Sequence, residues 1–138
     1  MPKRKPRPDV DMYGRTPLHN AAIKNDLSEV IALLQGCADP SAQDDNGWSP
    51  LHFSAQANSL GITKVLLEAG AKVDLRDSFG NTALFRVVFN CQGDGSVIAL
   101  LRASGADPRA VNNHGVSPLS LARKITNFDL AQFFKDLP

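Results

Sequence analysis

The residues with the means to do chemistry are few. The chain holds three histidines, two cysteines and one adjacent pair of acids, Asp44–Asp45. Imidazoles can ligate a metal or act as a general base, and paired carboxylates can share a proton. The spacings argue against each use. Cys37 and Cys91 lie far apart with no second ligand pair nearby, which matches neither a zinc site nor a disulfide framework. Cys91 lies in the stretch NCQGDG without an adjoining His or basic residue to lower its pKa, so an inert thiol is expected. The GDG at Gly93–Gly95 lacks the following Gly-Lys-Ser/Thr of a phosphate loop and reads as a widened loop between helices. An enzyme would need its nucleophile, base and oxyanion donor from positions that the pattern described next already explains. No catalytic residue, metal or cofactor is expected.

The totals narrow the classes further. A length of 138 residues suits one domain, without room for a separate catalytic module of ordinary size. Hydrophobic residues make up 43% and charged residues 21%, as in an ordinary soluble globular chain. The net charge of +1 is unevenly placed: Lys3, Arg4, Lys5 and Arg7 against Asp9 put +3 at the start and leave −2 for the rest. A basic nucleic-acid-binding domain is therefore not indicated. No apolar run approaches the ~20 residues that cross a bilayer, and the start lacks the apolar core of a secretory signal. A reduced, cytoplasmic protein is expected. The stretch PKRKPR also has the composition of a nuclear import signal.

His19 and His52 sit inside a phrase written twice, GRTPLHNAA from Gly14 and GWSPLHFSA from Gly47. Gly14, Gly47, Gly80 and Gly115 recur at steps of 33, 33 and 35, and Leu18, Leu51, Leu84 and Leu119 follow them. A second block recurs as VIALLQGCADP, TKVLLEAGAKV and VIALLRASGADP. Each unit reads as two helices. Thr16, Ser49 and Ser117 can cap an N-terminus through the side-chain oxygen, and Pro17, Pro50 and Pro118 follow where a missing N–H is harmless. Asn25 and Asn58 suit the left-handed turn between helices. Gly70 and Gly105 stop the second helices, with Cys37 taking that place in the first unit. Helices are predicted at about 16–23, 27–35, 49–57, 60–68, 82–90, 96–103, 117–124 and 127–136. The last shows Asp129, Gln132 and Asp136 opposite Leu130, Phe133 and Leu137, the polar outer side of an end unit.

This period and phrase resemble the ankyrin repeat, with its 33-residue unit and T-P-L-H-x-A signature. The resemblance covers roughly residues 11–137. The third unit, TALFRVV, lacks the Pro and the His, and the fourth, SPLSLAR, keeps Pro118 but has Ser120 in place of His. The resemblance implies an all-α solenoid of four stacked helix-turn-helix repeats with projecting turns. It places a flexible basic tail at 1–10 and the repeat domain at 11–138, with repeats at about 11–43, 44–76, 77–111 and 112–138. It also makes His19 and His52 scaffold residues that hydrogen-bond backbone between adjoining units, and leaves His114 on the surface. Asp44 falls at a turn position shared with Asp11 and Asp77, where Asp bonds local N–H groups, and Asp45 is an exposed turn residue.

Proteins resembling this one bind other macromolecules through the turn tips and the inner face of the first helices. Carried over, the tips are Met12, Tyr13 and Arg15, then Asp45, Asn46 and Trp48, then Ser78, Phe79 and Asn81, with His114 in the fourth unit. The inner-helix positions are Ile23 and Lys24, Gln56, Phe89 and Asn90, and Lys124. Phe85 stands where the motif has His, and with Arg86 after it also falls in the groove. The chain's one Trp and one Tyr lie in this set. Aromatic residues and Arg are the usual anchors of protein interfaces. Tyr13, Trp48, Phe79 and Phe89 are read as anchors, with Arg15, Lys24, Asp45 and Arg86 as the polar surround.

The resulting expectation is a protein-binding module, monomeric when free, that engages another protein and neither nucleic acid nor membrane. An immunity or antitoxin-type inhibitor is the first reading. A eukaryotic adaptor or kinase-inhibitor-like regulator is the second, and a structural, oligomerising stack the third. The full-length SPLHFSAQA counts against the kinase-inhibitor form, whose second repeat has a shortened first helix. The basic tail has no apolar periodicity and repels itself, so deleting residues 1–8 leaves the melting temperature unchanged. If the tail is an electrostatic arm, its deletion weakens only a complex, and does so less at high salt. Thermal melts of the two forms, with titrations at two salt concentrations, check this.

Overall fold

A computed structural model describes residues 9–138, so the tail's first eight residues lie outside the described part. Among the described residues the chain forms seven α-helices and one 3-10 helix, and no strand. The first helices of the units are α1 (Pro17–Ile23), α3 (Pro50–Gln56), α5 (Ala83–Asn90) and α7 (Pro118–Lys124). The second helices are α2 (Leu27–Gln35), α4 (Leu60–Glu68) and α6 (Ser96–Ala103), and the 3-10 helix (Leu130–Phe134) takes that place in the last unit. Each first helix packs on its own second helix and on the next first helix, and α2, α4 and α6 pack in their own row. The result is an all-α solenoid of four repeats.

Local chemistry sets these boundaries. The side chains of Thr16, Ser49, Thr82 and Ser117 each accept from the backbone N–H three residues on, and proline opens α1, α3 and α7. Asn25 and Asn58 have φ of 58° and 52° in the turn between helices. In the third unit Gln92 takes the left-handed place at 52°, inside the widened loop. Cys37 adopts φ 67° at the end of α2, and Gly70 and Gly105 take φ of 91° and 96° after α4 and α6. The equivalent residues Leu18, Leu51, Leu84 and Leu119 are all buried, and a single core runs through all four units.

The last helix differs from expectation. A helix over 127–136 was predicted, and the segment is a five-residue 3-10 turn instead. Ile125, which ends α7, is already extended, with ψ 120°. The Phe133 ring occupies the space that a Cβ at Gly95 would need. Arg102 donates to the Phe133 carbonyl at 2.9 Å and pairs with both oxygens of Asp136 at 2.7 and 2.8 Å. These ties hold the chain in a tighter turn that buries Leu130 and Phe134, while Asp129, Gln132 and Asp136 stay exposed on the outer side.

The projecting turns touch in sequence. The N–H of Asp45 donates to the Tyr13 carbonyl at 3.0 Å, that of Ser78 to Asn46 at 2.9 Å, and that of Asn113 to Phe79 at 2.9 Å. So close an approach needs glycine. A Cβ on Gly47 would lie 2.8 Å from the Asp77 Cα, whereas one on Gly115, in the last turn, meets nothing within 4 Å. Both have positive φ, 77° and 75°. Gly115→Ala therefore costs only the left-handed backbone penalty, roughly 1–2 kcal/mol, and Gly47→Ala costs that plus the overlap. Urea unfolding of the two variants measures the difference, and equal losses would show that the turns do not depend on contact.

Candidate protein-binding face

Each turn is shaped by one side chain, an acid in the first three. The Asp11 Oδ1 accepts from the N–H groups of Tyr13 and Arg15 at 2.8 and 3.0 Å. Asp44 does the same for Asn46 and Trp48 at 2.9 and 2.8 Å, and Asp77 for Phe79 and Asn81 at 2.9 Å each. Asn112 takes the role in the fourth turn, towards His114 and Val116. The tip residues two and four places after each acid are thus held by its side chain.

The two motif histidines tie these tips to the helices. His19 Nδ1 accepts from the Thr16 N–H at 3.0 Å, so Nε2 carries the proton and donates to the Trp48 carbonyl at 2.7 Å. His52 Nδ1 accepts from the Ser49 N–H at 3.1 Å, and Nε2 donates to the Asn81 carbonyl at 2.9 Å. Both rings are buried. Burial pushes both imidazoles below their usual pKa, and the carbonyl acceptors and nearby carboxylates of Asp44 and Asp77 offset only part of that. Among the described residues no group of three or more His, Cys, Asp or Glu could hold a metal, and no helix is long and apolar enough to cross a membrane. Burial also raises the pKa of the Cys91 thiol, which disfavours the reactive thiolate.

Beside these ties lies a stack of alternating cations and rings. The Arg15 guanidinium lies 4.9 Å from the Tyr13 ring centre and 5.3 Å from that of Phe53. Phe53 lies 4.7 Å from Trp48, tilted by 39°, and Arg86 sits 4.5 Å over the Trp48 ring. Beneath the stack, Arg86 Nη2 pairs with Asp77 Oδ2 at 2.8 Å, and Arg15 Nε stands 3.7 Å from Asp44 Oδ2. An open groove of about 490 Å³ runs along the stack, lined by Arg15, Trp48, Phe53, Gln56, Phe79 and Arg86 among others.

The structure distributes the residues carried over from sequence as follows. Met12, Tyr13, Asp45, Asn46, Ser78, Phe79 and His114 are exposed at the turns, and Ile23, Lys24, Gln56, Phe89 and Lys124 are exposed on or just after the first helices. Arg15, Trp48, Arg86 and Asn90 are half-buried. The groove brings together Arg15, Asn46, Trp48, Gln56, Phe79 and Arg86. Phe89 opens instead on a second, more apolar cleft with Val88, Leu121 and Phe128, and Lys24 faces Asp11, Asn20 and Glu29 at the first unit. Asn81 is buried, its side-chain oxygen accepting from Asn112 at 2.9 Å, because the fourth turn packs over it. Phe53, the central ring, escaped the sequence reading. Its signal was an aromatic at the repeat position that holds Asn20 in the first unit and Arg86 in the third.

With capped helix pairs, buried motif histidines and stacked turns, the chain belongs to the ankyrin-repeat family, whose sequence model, ankyrin repeats (3 copies), matches residues 3–77. It is 36% identical over 116 residues to the human transient receptor potential cation channel subfamily A member 1, covering 83% of this chain and 10% of that protein. It is 34% identical over 123 residues to the zebrafish neurogenic locus notch homolog protein 1, covering 88% and 5%, and 30% identical over 127 residues to the human SH3 and multiple ankyrin repeat domains protein 2, covering 91% and 7%. The chain thus spans a tenth or less of the length of these relatives. The family is one of protein-protein interaction modules.

Because both histidines are neutral when folded, pH reads them directly. Their folded pKa lies below the unfolded value of about 6.5, so the unfolded chain takes up protons first as pH falls. Their contribution is complete above about pH 6.5 and is lost below it, at up to about 1.4 kcal/mol per pH unit for each histidine. His52→Ala strands its bonding partners and costs roughly 1–3 kcal/mol near neutral pH, while flattening the acid dependence. Urea midpoints of both chains between about pH 7.5 and about pH 5 check both effects.

Proposed function

We propose that this stack acts by stoichiometric binding of one partner protein, through the groove between the turn tips and the first helices. The observation that carries the proposal is the Arg15–Phe53–Trp48–Arg86 stack with Phe79 at its rim. Phe79 is 57% exposed on a turn whose backbone is held by Asp77 and by the next turn. A large aromatic presented on a rigid frame loses little entropy on binding, as interface anchors do. Adjacent turns stand side by side, so a row of them can cover the ~800 Å² per partner of a specific interface.

Blocking a partner's surface requires only occupancy, so an inhibitor of the immunity type is one form of this proposal. It is tested by asking whether one equivalent of the stack abolishes the partner's activity. An adaptor would leave that activity intact. The oligomerising reading has no observation in its favour.

Phe79→Ala is the cleaner probe of the face, since Trp48 is half-buried in the stack and its loss also removes packing. Against an isolated partner, Phe79→Ala weakens the complex by about 2 kcal/mol or more, roughly thirtyfold, without lowering the melting temperature. Trp48→Ala weakens both binding and stability. Glu68→Ala, at the end of α4 on the opposite row, does little. Calorimetry with the three variants decides; normal binding by Phe79→Ala together with a loss in Glu68→Ala places the interface on the second-helix row.

A further inference from the structure

Two ion pairs, Arg15–Asp44 and Arg86–Asp77, stand at the groove, and their members differ in what they show to solvent. The side chains of Arg15 and Arg86 are 29% and 17% exposed, whereas those of Asp44 and Asp77 are 1% and 0%. The carboxylates lie beneath and the guanidiniums lie above, so a partner meets positive charge even though the four sum to zero. Asp45, the exposed acid next to Asp44, has its carboxyl folded against Gly14, 2.5 Å from where a Cβ would stand there. It belongs to the turn edge and is not among the groove's lining residues.

The two guanidiniums are also committed to different degrees. Arg86 donates to Asp77 at 2.8 Å. Arg15 stands 3.7 Å from Asp44, beyond hydrogen-bond reach, and both Arg15 Nε and Asp44 Oδ2 are buried without a hydrogen-bond partner. Arg15 therefore has a planar fork packed between the Tyr13 and Phe53 rings and only loosely paired below. A fork already fixed in place loses little on pairing with a second carboxylate, and Arg recognises carboxylates in this planar, two-bond manner. Between Arg15 and Arg86 stand Phe53 and Trp48, with Phe79 at the rim.

We infer that the occupant of this groove is an acidic, extended segment of a partner protein, with carboxylates on Arg15 and Arg86 and an apolar side chain against Trp48 and Phe79. The inference rests on the binding face proposed above and names its chemistry. A basic segment would meet two guanidiniums whose counter-charges are already buried. The groove draws residues from the first three units, which suits a chain that advances about 3.3 Å per residue with alternate side chains facing the rings.

The test uses fluorescein-labelled decapeptides of Gly, Ser, Pro and Leu, with two Glu placed at every pair of positions. Matched sets carry Gln or Lys instead, and an oligothymidylate tests for a general polyanion preference. Fluorescence anisotropy with the full chain is expected to show at least tenfold tighter binding by the best Glu peptides than by their Gln and Lys counterparts. Arg15→Gln removes most of that advantage and Arg15→Lys retains part of it, with the melting temperature of each variant recorded. Arg15 is the deciding position because its pair with Asp44 is loose, whereas Arg86→Gln also breaks a close ion pair and strands the buried Asp77. Equal binding by the Gln or Lys sets, equal binding by the oligothymidylate, an Arg15→Gln chain that keeps the full Glu advantage, or no binding by any set up to millimolar concentration each overturns the inference. The binding face itself stands or falls separately, on Phe79→Ala against the intact partner.

Discussion

Each unit of this stack cannot bury its apolar side alone, and the hydrogen bond from a buried imidazole to the next turn's carbonyl is what registers one unit on the next. His19 reaches Trp48 and His52 reaches Asn81, each 29 residues on. The same ring accepts from its own helix cap, so one side chain joins a helix start, a unit boundary and a turn tip. In a buried setting such a bond is stronger than in water, and leaving either partner unmade is costly. The tip residues have fixed positions because these bonds, with the turn acids, leave the turn backbone little freedom.

The stack keeps this logic where the motif is lost. Phe85 and Ser120 stand in place of the histidines in the third and fourth units. Between those units the work passes to amides and a guanidinium. Asn112 donates to the Asn81 side chain at 2.9 Å, Asn113 donates to the Ser78 carbonyl at 3.0 Å, and Arg76 donates to the Val111 carbonyl at 2.7 Å. At the end of the chain Arg102 does similar work for the last turn through Phe133 and Asp136. Nearest-neighbour ties of this kind are what a solenoid requires, since no contact spans the whole array.

The same geometry shapes the electrostatics of the face. Asp44 and Asp77 are buried with their Oδ1 atoms spent on backbone N–H groups, so the charge of these two is buried along with turn formation. Arg15 and Arg86 offset that charge from above while lying on aromatic rings, where a cation is attracted to the ring face. A turn acid needed for the fold thus helps place a guanidinium at the surface. Turn formation and the groove share atoms here, since Trp48 both packs in the stack and lines the groove.

The sequence by itself determined the period, the helix pairs, the caps, the scaffold role of His19 and His52, and the left-handed places of Asn25, Asn58 and Cys37. The period, helix pairs, caps and left-handed places are local or repeat at constant spacing, so they are readable from residue type, while the role of the two histidines followed from the resemblance to the ankyrin repeat. Tertiary structure decided the rest. The stack pairs Arg15 with Phe53 and Trp48 with Arg86, each 38 residues apart, which joins a tip of one unit to a helix of the next. Repeat alignment places like positions beside each other and says nothing of this diagonal, because it depends on the stagger of the stacked units. Asn81 shares a register with Arg15 and Trp48, yet it is buried because the following turn lies over it. The final segment carried a helical pattern and became a 3-10 turn, because its shape follows from the Phe133 ring seated over Gly95 and from the grip of Arg102 on Phe133 and Asp136.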